Sequence, residues 1–179
     1  MSFSSNKEKI SVVGLADRMA TFFATDVEGD FFDRSALVWK FGDAAGLDAR
    51  EIIKEWAIVQ MFLRSQVFRK HFKDTKTAES VLDYFHGHGW RQLVQRGVLV
   101  EAGDLEGELR TRYEVYYDAS AQTDDLPMKL FRIAEAYFRL CRIIYDANDV
   151  AALTMFFTTL VAAEKQLAET LNKSVEVDQ

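Results

Sequence analysis

Residues that break helices or staple folds are scarce in this chain. Its 179 residues include one proline (Pro127), one cysteine (Cys141) and nine glycines. A single cysteine excludes an internal disulfide framework. So few breakers favour long helices over a many-stranded sandwich. Long apolar runs are missing too. The longest uncharged one, 150–163, has 14 residues between Asp149 and Glu164, short of the roughly 20 that span a bilayer. The apolar stretch 10–16 is interrupted by Ser11 and stopped by Asp17-Arg18, so it does not read as a secretory signal. With one thiol and no export signal, the expected compartment is the cytoplasm. Catalysis has no anchor: there is no phosphate-cradling glycine loop and no Ser/His/Asp order. Cys141 falls on an apolar helical stripe and reads as an inert buried thiol. The expectation is a non-enzymatic protein without a cofactor.

What the chain does have is apolar and aromatic surface. Apolar residues make up 49% and charged ones 28%, with 14 Phe, 6 Tyr and 3 Trp. That is an ordinary globular mix with many rings to bury, and the length suits one domain over 1–179. The net charge is −6. Only 64–96 is basic, with seven Lys/Arg against three Asp/Glu. Such a zone is either a solvated helix face or a local footprint for a phosphate backbone.

Apolar spacing divides the chain into helical stretches at 7–72, a changed rhythm at 74–118, and a long helical hairpin at 126–172. The first helix is expected over 7–25. Asp30 reads as the N-cap of a short helix through Phe41, with breaks at Gly42 and Gly46. Asp48 and Glu51 fit a capping box that starts a helix over 49–72. One flank of that helix is built on Ile52, Trp56, Leu63 and Val67, and the adjoining one on Ile53, Ala57, Met61 and Phe68. Ile58 and Phe62 lie opposite, among charged residues, so the helix is either central or shared with a second copy. Ile58 and Phe62 are the candidate interaction surface for a homodimer.

Short helices are expected at 77–85 and 90–96, separated by the His86-Gly87-His88-Gly89 turn, with Gly97 at the C′ position. Beyond it, Leu109, Thr111, Tyr113, Val115 and Tyr117 alternate with polar residues. That period of two predicts a β-hairpin pairing 98–102 with 108–117. A helical template also aligns Leu105, Leu109, Tyr113 and Tyr116. Two antiparallel helices, 126–146 and 149–172, close the chain, with Asn148 as cap and a polar, frayed tail. Glu164 falls on the apolar line of the last helix, set by Leu153, Phe157, Leu160, Leu167 and Leu171.

The fold expected is thus mainly α: a single-domain helical bundle with a short β-hairpin, ordered like a winged helix-turn-helix, and a C-terminal antiparallel helical hairpin. Three functions follow. The first is an interaction protein acting as a homodimer through its terminal helices. The second is a winged-helix DNA-binding regulator, with Arg91, Gln92, Gln95 and Arg96 reading base edges and Arg110 and Arg112 touching phosphates. Carboxylates at the ribbon tip (Glu101, Asp104, Glu106, Glu108) weigh against it. The third is a sensor of a small apolar ligand, lined by Phe131, Phe138, Tyr145, Phe156 and Phe157, or of a metal held by Asp83, His86 and His88 with His71 as a further donor.

Overall fold

A computed structural model describes residues 8–32, 49–71, 74–101 and 103–178. It is mainly helical, with six helices among the described residues. These are α1 (Val12–Phe32), α2 (Ala49–His71), α3 (Thr75–Gln95), α4 (Leu105–Ala121), α5 (Leu126–Leu140) and α6 (Ala147–Ser174). Two short strands, β1 (Glu8–Ser11) and β2 (Val175–Asp178), pair in parallel with Glu8 opposite Val175 and Ile10 opposite Val177. The tail expected to fray is therefore tied down, because Ile10 is buried and Val177 packs on the same core. The Ser11 hydroxyl accepts from the Gly14 amide at 3.0 Å and starts α1.

The helix α1 runs through Asp30, which is a helical residue and not an N-cap. The short helix expected through Phe41, the breaks at Gly42 and Gly46, and Asp48 of the capping box lie outside the described residues.

At the centre is α2, which touches each of the other five described helices. It is covered all round: Ile58 and Phe62, expected on a surface, are 0% and 1% exposed. The cover is the segment read as a ribbon. Residues 105–121 form a helix, not the second strand of a hairpin, and no strand is present at 98–101. Phe62 is ringed by Tyr113, Tyr116 and Tyr117 of α4, with centroids 5.2, 5.3 and 5.1 Å away. Burying that side of α2 outweighs the local preference of tyrosine and valine for strands. Asp104 caps α4 by accepting from the Gly107 amide at 2.9 Å.

The two short helices expected around the glycine turn are one continuous helix, α3. Gly89 is a close-approach residue: a Cβ there would lie 2.9 Å from Phe23 Cδ1 and 3.1 Å from Met61 Cε. Tertiary packing of α3 on α1 thus offsets the local cost of two glycines. The two helices run parallel and stay in register. His88 Nδ1 approaches Asp17 at 3.8 Å, Gln92 donates to Thr21 at 3.2 Å, and Arg96 donates to Thr25 at 3.3 Å and Glu28 at 2.5 Å. Gly97 ends α3 at φ 73°, with its amide on the Val94 carbonyl and the Val98 amide on that of Leu93. This is the C′ role expected of it.

The helix α5 stops at Leu140 rather than 146, and Arg142 takes the left-handed position after it at φ 55°. The cap of α6 is Asp146, which accepts from the Asn148 and Asp149 amides at 2.7 and 3.0 Å, and not Asn148. Phe138 and Tyr145 stack at 5.1 Å, and Phe156 and Phe157 lie 5.0 and 6.0 Å from Trp56. No described helix is long and apolar enough to cross a membrane.

The two glycines of α3 separate local propensity from packing. Gly87 has open space around its missing Cβ, so Gly87→Ala should stabilise by about 0.5–1 kcal/mol. Gly89→Ala should destabilise by about 1–3 kcal/mol through overpacking. Urea unfolding of both variants checks the opposite signs.

Candidate functional site

Four polar residues of α2, Glu55, Gln60, Arg64 and Ser65, are buried with its apolar ones. Arg64 is 2% exposed and lies over the Phe23 ring at 5.4 Å. Its Nη2 donates to Asp26 of α1 at 2.5 Å, and its Nε lies 3.1 Å from Glu164 of α6. Gln60 and Trp56 donate to Asp30 at 3.0 and 2.8 Å. Burial raises the carboxyl pKa of Asp30 and of Glu164. On the other side, Glu55 accepts from Tyr116 at 2.6 Å and pairs with Arg112 Nε at 3.0 Å; burial again raises its pKa. These contacts join helices. Burial likewise pushes the Cys141 thiol up to about 12, which leaves it un-ionised at neutral pH.

The residues expected to read DNA are scattered. Gln92 and Arg96 are spent on α1, and Arg112 on Glu55. Arg110 is exposed and pairs with Glu106 at 2.7 Å, while Arg91 and Gln95 are exposed on α3. With 105–121 helical, the ribbon that would have carried Arg110 and Arg112 to phosphates is absent.

The expected metal ligands diverge as well, since positions two apart on a helix face different ways. His86 Nε2 is held by Ser65 Oγ at 2.9 Å and Tyr113 OH at 3.0 Å, whereas His88 turns to Asp17. Asp83 and His86 do share a groove, but Arg69 and Arg110 line it with them and oppose a cation. No cluster of three metal-binding side chains occurs among the described residues. The side chain of His71 lies outside the described residues.

The feature best suited to hold a ligand is a cleft of about 260 Å³ where α2, α5 and α6 meet. Its walls are Phe62, Leu63 and Val67 from α2, Leu126, Leu130 and Ile133 from α5, and Val161 from α6. Lys70, Lys129 and Lys165 stand at its edge, with Gln66 and Ser120. Among the described residues, no carboxylate lines it. Three other cavities mix the two signs. One of about 550 Å³ sets Arg50 and Lys54 beside Glu51, Glu101 and Glu108. One of about 350 Å³ sets Arg112 and Arg142 beside Glu51 and Glu55, and the groove at His86 sets Arg69 and Arg110 beside Asp83 and Glu106.

Comparison with known proteins finds no matching family model, no matching curated protein and no matching solved structure. The cleft therefore rests on its own geometry. Nothing in the spacing of Lys70, Lys129 and Lys165 marks them as a set, because they come from three helices whose packing is long-range. Of the aromatic residues expected to line a cavity, Phe156 and Phe157 pack against Trp56, and Phe138 stacks on Tyr145. By contrast, Glu164 on an apolar stripe and Arg64 in line with Ala57, Met61 and Phe68 were visible signs of a buried ion pair.

His86 supplies a pH test. Burial, and after it the positive charge of Arg69, lowers its pKa to about 4. An unfolded histidine titrates near 6.5. The unfolded chain therefore binds the extra proton first. The stability contributed by the neutral ring is complete above about pH 6.5 and is lost as pH falls toward 4. Buried Asp30, Glu55 and Glu164 shift the other way, so the His86→Gln variant is the proper reference. Between pH 7 and pH 4.5 the native protein should lose about 2 kcal/mol more than the variant, measured by urea unfolding at each pH.

Proposed function

We propose that this is a non-catalytic helical binding protein, and that the cleft between α2, α5 and α6 seats a small apolar ligand. The observation that carries this reading is the cleft itself: a concave, mostly apolar space with a few polar groups at one rim. That is the usual form of a small-molecule site, and at about 260 Å³ it lies just under the common range of about 300–1,000 Å³. The buried carboxylates and the thiol are tied up in helix-to-helix contacts or held neutral, which supports binding over catalysis. A reducing compartment such as the cytoplasm suits the one buried, unpaired thiol. Ile58 and Phe62 are interior and offer no surface to a second copy, which leaves the terminal helices as the surface for a homodimer.

Titration with 1-octanol, followed by methyl NMR, tests the site. Saturable shifts are expected at Leu63, Leu130 and Val161. Val161→Phe should fill the cleft and abolish those shifts while the circular dichroism stays helical. No saturable shift in the native protein would end this reading.

A further inference from the structure

The geometry points to a single-chain carboxylate amphiphile, a medium-chain fatty-acid anion, as the occupant of this cleft. The inference rests on the reading above and goes further by naming the ligand's charge and shape. A chain of net charge −6 lines this apolar cleft with three lysines, and among the described residues no carboxylate shares its wall. Two of those lysines make only long ion pairs, with carboxylates outside the cleft wall. Lys129 reaches Asp124 only at 3.9 Å and Lys165 reaches Glu169 only at 4.0 Å, both at the edge of contact. Lys70 makes no ion pair among the described residues.

Three lysines line one cleft, and a bound anion would complement their shared positive charge. Lysine suits the task, since its stem can lie on the apolar wall while the charge reaches water. Size restricts the tail. A methylene takes about as much room as a water molecule, about 30 Å³, so the cleft holds a chain of about eight carbons. That accommodates one short tail and excludes the paired long tails of a bilayer lipid. The carboxylate head would lie among Lys70, Lys129 and Lys165, with the tail along Leu63, Leu130 and Val161.

The test compares octanoate with 1-octanol, which share a tail and differ in the head. Calorimetric titration at low salt uses the full chain and a K70Q/K129Q/K165Q variant, whose changes are at the solvent edge and whose helicity is checked by circular dichroism. Octanoate should bind at least tenfold tighter than 1-octanol, with the advantage shrinking as salt is added. The triple variant should bind both alike. Hexanoate should bind more weakly than octanoate by about fourfold per methylene removed. If octanoate and 1-octanol bind equally to the native protein, or the variant keeps the preference, the charge assignment is overturned while the apolar site stands. If neither binds, the site itself is lost, and the inference with it.

Discussion

A guanidinium sealed inside the helix at 49–71 is the constraint around which the rest is arranged. Arg64 is 2% exposed, so its charge has to be answered from within the protein. Asp26 on α1 and Glu164 on α6 answer it from two directions. An ion pair of this kind adds little net stability, because desolvation offsets most of the attraction. Its effect is to penalise other arrangements: any packing that slides α1 or α6 away strands a buried charge. Glu55 plays the matching part on the opposite flank, where Tyr116 and Arg112 bring in α4.

All-round burial of α2 has a geometric consequence. Helices of different length and direction cannot close perfectly over one central helix, and α5 and α6 leave an apolar gap along Phe62, Leu63 and Val67. The floor of the proposed ligand site is thus a continuation of the hydrophobic core, and its lysine edge is where that core reaches water. Structure and binding share the same side chains there, so the site is built on helices rather than on loops.

Much of this could be read from the sequence. The helix at 49–71, the C′ glycine at 97 and the two closing helices were legible because apolar spacing and caps are local. The helix at 105–121 was not, because Leu109, Thr111, Tyr113, Val115 and Tyr117 fit a period of two as well as Leu105, Leu109, Tyr113 and Tyr116 fit a turn of helix. Which one wins depends on what lies beneath, and Phe62 and Ile58 were the missing information. The two differences share one cause: the face of α2 that has no partner in the sequence pattern is the face that 105–121 covers. Gly89 differs from its expected turn role for a related reason, since a glycine that ends a helix and one that lets Phe23 approach look the same in a single chain. The ligand cleft drew on α2, α5 and α6 together and left no local trace.

The most direct measurement is a double-mutant cycle on Arg64 and Glu164, read by urea unfolding. Arg64→Met alone should cost about 3–5 kcal/mol, because it leaves Glu164 buried without its cation. Combining it with Glu164→Leu should recover part of that loss, with a coupling of at least about 1 kcal/mol. If the two effects simply add, within about 0.5 kcal/mol, Arg64 does not answer to α6 and the central-helix account is contradicted.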